Sequence, residues 1–239
     1  MTTEEFSSEF DILYNNIMSN RAPGLDEYEK SVFLTMAQEE IVTSLYSGNN
    51  PSGMSFENTE EARRYINDLV KEKNLSLSFI ENTSYMDNLK HYKCYISSQE
   101  NDIWFIIYET VSFSNDFKNC EGFNTALVIP IKHDDYYKIA NNPFRGPNNR
   151  RVLRLNIGKD LNNKKDVIEL VTKYSIKDYT IRYLSRPTPI ILENLSDGLT
   201  INNESNKTEC SLNPVLHRTI LKRAVQLALL SQSINTQGA

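Results

Sequence analysis

The sequence IWFIIY at residues 103–108 indicates how the middle of this chain folds. Six consecutive apolar or aromatic side chains leave neither face of a strand polar, which is typical of a strand buried on both sides. We therefore expect a central strand here, with other strands paired on either side of it.

Shorter alternating patterns flank this run and predict further strands. Leu75, Leu77 and Phe79 alternate with polar residues, and so do Tyr92, Cys94 and Ile96. Side chains of a strand point alternately to opposite faces, so this spacing is typical of strands with one apolar side. Further strands are predicted at residues 124–131, 151–157, 166–171 and 179–184.

The period changes to that of a helix in the first quarter of the chain. A capping pattern at Thr2 and Glu5 begins a first helix, and a second capping pattern at Asp26 and Glu29 begins the next. The second helix is predicted to bury an apolar face and to end near Gly48. That face comprises Val32 or Phe33 with Met36, Ala37, Ile41 and Leu45.

A third helix is predicted from Asn58 through Val70, and a terminal helix begins at Asn213 and Pro214. Helices followed by strands and then a helix favour an α+β fold, with N-terminal helices, a central mostly antiparallel or mixed β-sheet and a C-terminal helix. We expect a helical region at 1–74, a β-rich region at 75–212 and a helix with its tail at 213–239, together one integrated domain. The polar stretch 194–209 is the best candidate for a mobile loop.

The composition of the 239 residues is that of an ordinary globular protein, with 39% hydrophobic and 24% charged residues. The net charge is −5 and the pI is near 5.4, which argues against a dedicated nucleic-acid-binding protein. The acidic N-terminus differs from a secretory signal, and no apolar run is long enough to span a membrane. We expect synthesis in the cytoplasm and no membrane partner.

The residues that could support catalysis or metal binding are sparse. Three cysteines, Cys94, Cys120 and Cys210, form no C-x-x-C motif and predict reduced thiols. His133 precedes two aspartates, but adjacent residues of a strand diverge, so we interpret this tripeptide as a solvated turn without metal. A nucleophilic pair of Cys120 and His133 is an open alternative, as is a pair of catalytic carboxylates. No phosphate-binding or nucleophile-elbow motif occurs, and no cofactor is predicted.

Basic residues concentrate in two places. One group is Arg145, Arg150, Arg151 and Arg154, and the other is Arg182, Arg186, Arg218, Lys222 and Arg223. Such groups can contact DNA phosphates, which leaves a DNA-packaging factor as an alternative. Because the whole chain is acidic, we favour ion pairs with acidic segments such as Glu39-Glu40, within or between subunits.

Three segments together resemble a known family. An aromatic strand at 179–184 leads into the sequence RPTPIIL at 186–192, and a polar loop then precedes LNPVLH at 212–217. The opening PGLDEYEKSVFLTMAQEEIV at 23–42 and the middle segment 128–137 fit the same pattern. In these segments the chain resembles ring or neck (head-to-tail connector) proteins of tailed bacteriophages of the crAss-like group.

The resemblance implies a non-enzymatic virion component located in the neck. It implies a cyclic homo-oligomer, for example a dodecamer, stacked below the portal protein and next to other neck or tail proteins. Genomic DNA would pass through the ring without sequence-specific binding. Another virion protein, such as a tail adaptor, head-completion or minor capsid protein, is the alternative that the same segments leave open.

Candidate residues for contacts between subunits follow from these motifs. The motif residues are Arg182, Arg186, Pro187, Pro189, His217 and Arg218, and the helix-face residues are Phe33, Met36 and Ile41. Prolines fix φ and donate no hydrogen bond, so the segment around Pro187 is expected to be extended and rigid. The three helix-face residues are also suited to the protein core.

Overall fold

The computed structural model describes residues 1–18, 24–50, 53–80, 89–96, 103–114, 124–160, 165–196 and 198–237. The helices in these ranges are α1 (Thr3–Met18), α2 (Glu27–Ser47), α3 (Glu60–Ile66), α4 (Tyr136–Ala140) and α5 (Pro214–Gln237). The strands are β1 (Val70–Leu75), β2 (Leu77–Phe79), β3 (Lys90–Ile96), β4 (Ile103–Phe113), β5 (Thr125–Pro130), β6 (Arg151–Lys159), β7 (Asp166–Thr172) and β8 (Ile176–Ser185).

The chain divides into two compact units. The helical unit comprises Met1–Leu69 and Arg186–Ala239, and the sheet unit comprises Val70–Ser185. The segment 186–212, which the sequence analysis grouped with the strands, belongs to the helical unit. The division therefore inserts the whole sheet between two parts of a helical unit.

In the helical unit, α2 packs against α5, and α1 also contacts α5. The side chain of Asp26 accepts a hydrogen bond from the backbone of Glu29, whose carboxylate bonds back to Asp26, as the capping pattern predicted. The helix ends at Gly48, which has a left-handed backbone with φ of +75°. Glycine adopts this conformation without steric cost, so it terminates the helix where predicted.

The sheet unit consists of one mixed sheet with strand order β1-β8-β4-β5-β6-β7-β3-β2. All neighbouring strands are antiparallel except β5 and β6, which are parallel. Parallel neighbours need a crossover connection, and here residues 131–150 provide it with α4. No pattern in the sequence had indicated this crossover between β5 and β6.

Both faces of the sheet carry apolar clusters. Val152 and Leu170 lie in the larger cluster, whereas Leu153 and Val171 lie in the smaller one with Tyr136 of α4. Successive residues of one strand thus contribute to opposite faces, which explains why β7 carries apolar residues on both of its sides.

The predicted α+β class and its order of helices, mixed sheet and terminal helix are confirmed. Two local predictions are wrong. Val70 begins β1, where it pairs with Leu184, instead of ending the third helix. The run 103–108 is not covered on both faces, because residues 103–107 are only half-buried and Tyr108 is 47% exposed.

The stretch 194–209, predicted as a mobile loop, is held by hydrogen bonds where it is described. The backbone N–H of Leu195 donates to the carbonyl of Ser205 at 2.8 Å, and the N–H of Lys207 donates to the side chain of Asn194 at 2.8 Å. Ile201 is buried within the turn. The polar residues of this stretch are typical of turns in which side chains hydrogen-bond to the nearby backbone.

Candidate assembly surface

The buried face of α2 is partly polar, and its polar side chains bind the extended segment 186–192. The hydroxyl of Thr35 accepts a hydrogen bond from the N–H of Ile190 at 3.1 Å, and the hydroxyl of Ser31 accepts one from the N–H of Leu192 at 3.0 Å. The side-chain amide of Gln38 donates to the carbonyl of Thr188 at 2.7 Å. Three side chains of one helix thus satisfy backbone groups that have no sheet partner.

Arg186 belongs to the same segment and pairs with α2. Its guanidinium donates to both carboxylate oxygens of Glu39, at 2.8 and 3.0 Å, and the amide of Asn202 donates to Glu39 as well. Pro187 and Pro189 are buried in the helical unit. These three predicted interface residues therefore hold the segment 186–192 against the rest of the helical unit.

The apolar residues predicted for the buried face of α2 are largely on its other side. Met36 is 50% exposed, and Phe33 and Ile41 are half-buried, whereas Ala37 and Leu45 are buried as predicted. Because a helix advances 100° per residue, Val32, Phe33 and Met36 share one outward stripe. We name these three residues the α2 stripe.

His217 is buried and links both ends of the helical unit. Its Nε2 lies 3.0 Å from the carbonyl of Leu212, its Nδ1 lies 2.8 Å from the N-terminal amine, and its ring lies 5.4 Å from that of Phe6. Burial lowers the pKa of His217, the Leu212 carbonyl opposes this effect, and the positive N-terminus adds to it. The neutral ring is the stable form here, which fits a structural role.

Arg218 is exposed and borders a groove of about 390 Å³ between α1 and α5. Ile12 and Leu13 form the apolar part of this groove, and Glu9 and Lys222 lie at its rim. Ile12 is 59% exposed. No sequence pattern indicated the groove, because its residues come from helices that are distant in the sequence.

Arg182 lies in the sheet unit and pairs with Glu72 of the neighbouring strand at 2.8 Å. Both side chains are more than half exposed. The structure thus brings Arg186, Pro187, Pro189, His217 and Arg218 into the helical unit, and Arg182 into the sheet unit. Two other basic side chains, Arg223 and Arg154, pair with Glu40 and Glu109 of the same chain. These pairs favour the interpretation of the arginines as ion-pair partners.

The sheet core also contains a buried charged group. Glu109 pairs with Arg154 and accepts a hydrogen bond from the hydroxyl of Tyr179 at 3.2 Å. Burial raises the pKa of Glu109, and the opposite charge of Arg154 and the Tyr179 hydrogen bond counteract it. Glu109 and Tyr179 are buried and the side chain of Arg154 is 12% exposed, so the three groups are largely shielded from water and stabilise each other.

The residues proposed for catalysis or metal binding do not converge in the described part of the chain. His133 lies on a short exposed turn, where its Nε2 contacts the carbonyl of Asn156 at 2.8 Å. No group of three possible metal ligands is present among the described residues. Burial and the nearby Glu109 raise the pKa of the Cys94 thiol to about 12, so it is a poor nucleophile. Cys120 lies outside the described residues.

Within the described ranges, no helix has the length and apolar character that crossing a membrane requires. The surface features described above are the α2 stripe, the groove between α1 and α5, and the exposed ion pairs. Such features are typical of a protein that assembles with other proteins.

The comparisons with known proteins agree with this class. The family model described as phage tail ring protein 3/4 matches residues 1–239. Ring protein 3 of Bacteroides phage crAss001 is 44% identical over 234 residues, covering 98% of this chain and 97% of that protein. Ring protein 4/5 of the same phage is 38% identical over 232 residues, covering 95% and 92%. The chain therefore belongs to the phage tail ring protein 3/4 family of crAss-like phages, as the resemblance predicted.

Proposed function

We propose that this chain is a structural, non-enzymatic subunit of a cyclic homo-oligomer in the neck of a tailed-phage virion. The ring lies between the portal protein and the tail and surrounds the DNA channel. The observation that carries the proposal is the match to a ring protein family over the whole chain. A ring subunit needs two different complementary surfaces, one for each neighbour.

The exposed apolar residues of the helical unit support a role in subunit contacts. The α2 stripe and the groove beside Arg218 lie on different helices, and each presents apolar surface flanked by charge. We place Met36, Phe33 and Arg218 in contacts with a neighbouring ring protein or with the portal. Stable contacts bury about 1,600 Å² in total, which exceeds what either feature provides alone.

The charge of the chain supports passage of DNA without retention. The net charge is −5, and Arg182, Arg186 and Arg223 pair with carboxylates of the same chain. Acidic surface repels phosphates, so we expect DNA to slide past the ring. A tight DNA complex that weakens steeply with added salt would contradict this part of the proposal.

Native mass spectrometry of the purified chain at several concentrations tests the proposal. We expect a closed oligomer with a single subunit number, alone or after addition of the portal protein. A chain that stays monomeric under both conditions would contradict the ring. Met36→Glu and Arg218→Glu are expected to weaken assembly, whereas Thr43→Glu, at an exposed position of α2, serves as the matched control.

A further inference from the structure

The loop between α4 and β6 presents an aromatic side chain to solvent. Phe144 is 87% exposed, the most of any large apolar side chain in the described residues. Apolar side chains exposed to this degree on a fixed loop are typical of anchors in protein interfaces.

The loop around Phe144 is held in one conformation by its own hydrogen bonds. The side-chain oxygen of Asn142 accepts from the N–H of Phe144 at 2.8 Å and of Arg145 at 3.1 Å. Arg151 donates to the carbonyl of Phe144 at 3.0 Å. At Gly146 a Cβ would lie 2.6 Å from the carbonyl oxygen of Asn142, so this close approach requires glycine. A loop that is ordered before binding loses little conformational entropy on binding.

The sheet unit also contains a cavity of about 250 Å³. Its walls are polar and apolar in about equal parts, with Ile103, Trp104, Val167 and Ile168 on the apolar side and Arg154, Asn156 and Asp166 on the polar side. An apolar cavity of roughly 150 Å³ holds a benzene molecule, so this cavity has room for a phenylalanine ring.

Arg154 lines the same cavity and has hydrogen-bonding capacity to spare. Its side chain is only 12% exposed, and its Nε is buried with no hydrogen-bond partner in the part of the chain that the structure describes. A buried donor without a partner is costly. Because this Nε is buried, an inserted loop would contact only the exposed part of the Arg154 side chain.

The loop and the cavity lie at opposite ends of β6. The loop directly precedes Arg151, where β6 begins, and the cavity is lined by Asn156 and Gly158 near the other end. The lining residues of β6, from Arg154 to Gly158, lie three to seven positions beyond Arg151, which corresponds to roughly 10–23 Å of strand. Because the loop and cavity of one subunit are this far apart on a rigid strand, each can engage a different neighbour, which is the arrangement that a ring requires.

We propose that Phe144 of one copy of this chain inserts into the cavity beside Trp104 of the next copy. The insertion places Arg145 near Asp166, which gives a pair of opposite charges at the rim. This contact rests on the proposed ring function. It specifies the two complementary surfaces of each copy, the Phe144 loop for one neighbour and the cavity for the other. The occupant is a second copy because the cavity has room for the Phe144 ring and because Arg145 beside that ring and Asp166 at the cavity carry opposite charges.

Two variants at exposed positions test the contact from both sides. Phe144→Asp removes the anchor, and Asn156→Trp fills the mouth of the cavity with an indole ring. We expect each variant to weaken self-association by roughly 30-fold or more, as for other aromatic anchors in interfaces. Leu199→Asp introduces the same charge at another exposed apolar position, in the helical unit, and is expected to assemble like the wild type.

A mixture of the two variants gives the sharper test. Phe144→Asp keeps an open cavity and Asn156→Trp keeps the anchor, so an equimolar mixture forms one intact contact and stops at the heterodimer. Native mass spectrometry and sedimentation velocity distinguish this heterodimer from monomers and from rings. Rings formed by Phe144→Asp at wild-type concentrations would overturn the contact and leave the ring function intact.

A charge exchange provides an independent check. Arg145→Asp and Asp166→Arg are each expected to weaken association, and the double variant is expected to recover most of the loss. A double variant no better than the single ones would contradict the pairing of Arg145 with Asp166. Wild-type assembly into open chains would support the contact but contradict a closed ring, and a wild type that is monomeric at every concentration, alone and with the portal protein, would contradict both.

Discussion

Helix α2 and strand β7 both contain buried side chains, but these side chains make different kinds of contact. In β7 the side chains of residues 167–171 are buried, four of them apolar and the fifth the carboxylate of Glu169, which lies 2.7 Å from Nδ1 of His91. The buried face of α2 contains Ser31, Thr35 and Gln38, which bind the backbone of the segment 186–192. The strand is buried by packing, and the helix is buried in part by hydrogen bonds.

The difference explains where sequence patterns succeed. Apolar periodicity detects an element that buries hydrocarbon, and it located most strands of the sheet unit. It does not identify the buried face of a helix whose polar side chains bind an irregular segment, because polar residues are expected to face the solvent. The stripe predicted for the core around Met36 therefore faces outward.

The largest effect is expected from the charged group in the apolar sheet. Glu109→Ala leaves Arg154 buried without its carboxylate, and breaking such a pair costs about 3–5 kcal/mol. Urea denaturation followed by circular dichroism measures the loss of unfolding free energy. Simultaneous replacement by Glu109→Leu and Arg154→Met is the control, because it removes both charges and should recover much of the stability. A single variant as stable as the wild type would show that the pair is hydrated.

A smaller effect is expected from the polar face of α2. Ser31→Ala leaves the buried N–H of Leu192 without its acceptor, and such a loss costs about 1–3 kcal/mol. Hydrogen exchange of the Leu192 amide is expected to accelerate together with the loss of unfolding free energy. Ser47→Ala, at an exposed position of the same helix, is the matched control and should stay within about 0.5 kcal/mol of the wild type. Unchanged exchange at Leu192 would contradict the proposed role of Ser31.

A pH dependence is expected from the helical unit. The folded pKa of His217 is lowered, so the unfolded chain, with a histidine pKa of about 6.5, binds the proton more readily. The free energy of unfolding should therefore fall as the pH drops below about 6.5, and the contribution of His217 should be complete above it. His217→Gln is expected to reduce this slope between pH 7 and pH 5. An identical slope in the variant would assign the pH dependence to other groups.

The smallest effect is expected at the exposed pair of Arg182 and Glu72. Both side chains are more than half exposed, so Arg182→Ala should cost about 0–1 kcal/mol. The contrast with Glu109→Ala measures what burial adds to an ion pair in the same sheet. Equal losses for the two variants, measured under one set of denaturation conditions, would contradict the difference in burial that the structure shows.

The sequence predicted some features of the candidate site and not others. The caps at Asp26 and Gly48 were predictable because their chemistry is local. The burial of Pro187 and the pairing of Arg186 with Glu39 were not, since these contacts join residues about 150 positions apart. The exposure of Phe144 was not predictable either, because nothing in the spacing of the surrounding residues distinguishes it from a buried side chain.

By itself the sequence determined the order of helices and strands, the α+β class and membership of the ring protein family, because periodicity, caps and family motifs are encoded locally. Only the tertiary structure decided which face of α2 is buried, which arginines are paired and where Phe144 and the cavity lie. These features depend on the chain returning from the sheet at Arg186 to pack on its own N-terminal helices, and on β6 separating the loop from the cavity. Contacts between residues that are distant in the sequence leave no periodic signal in the residues that they bring together.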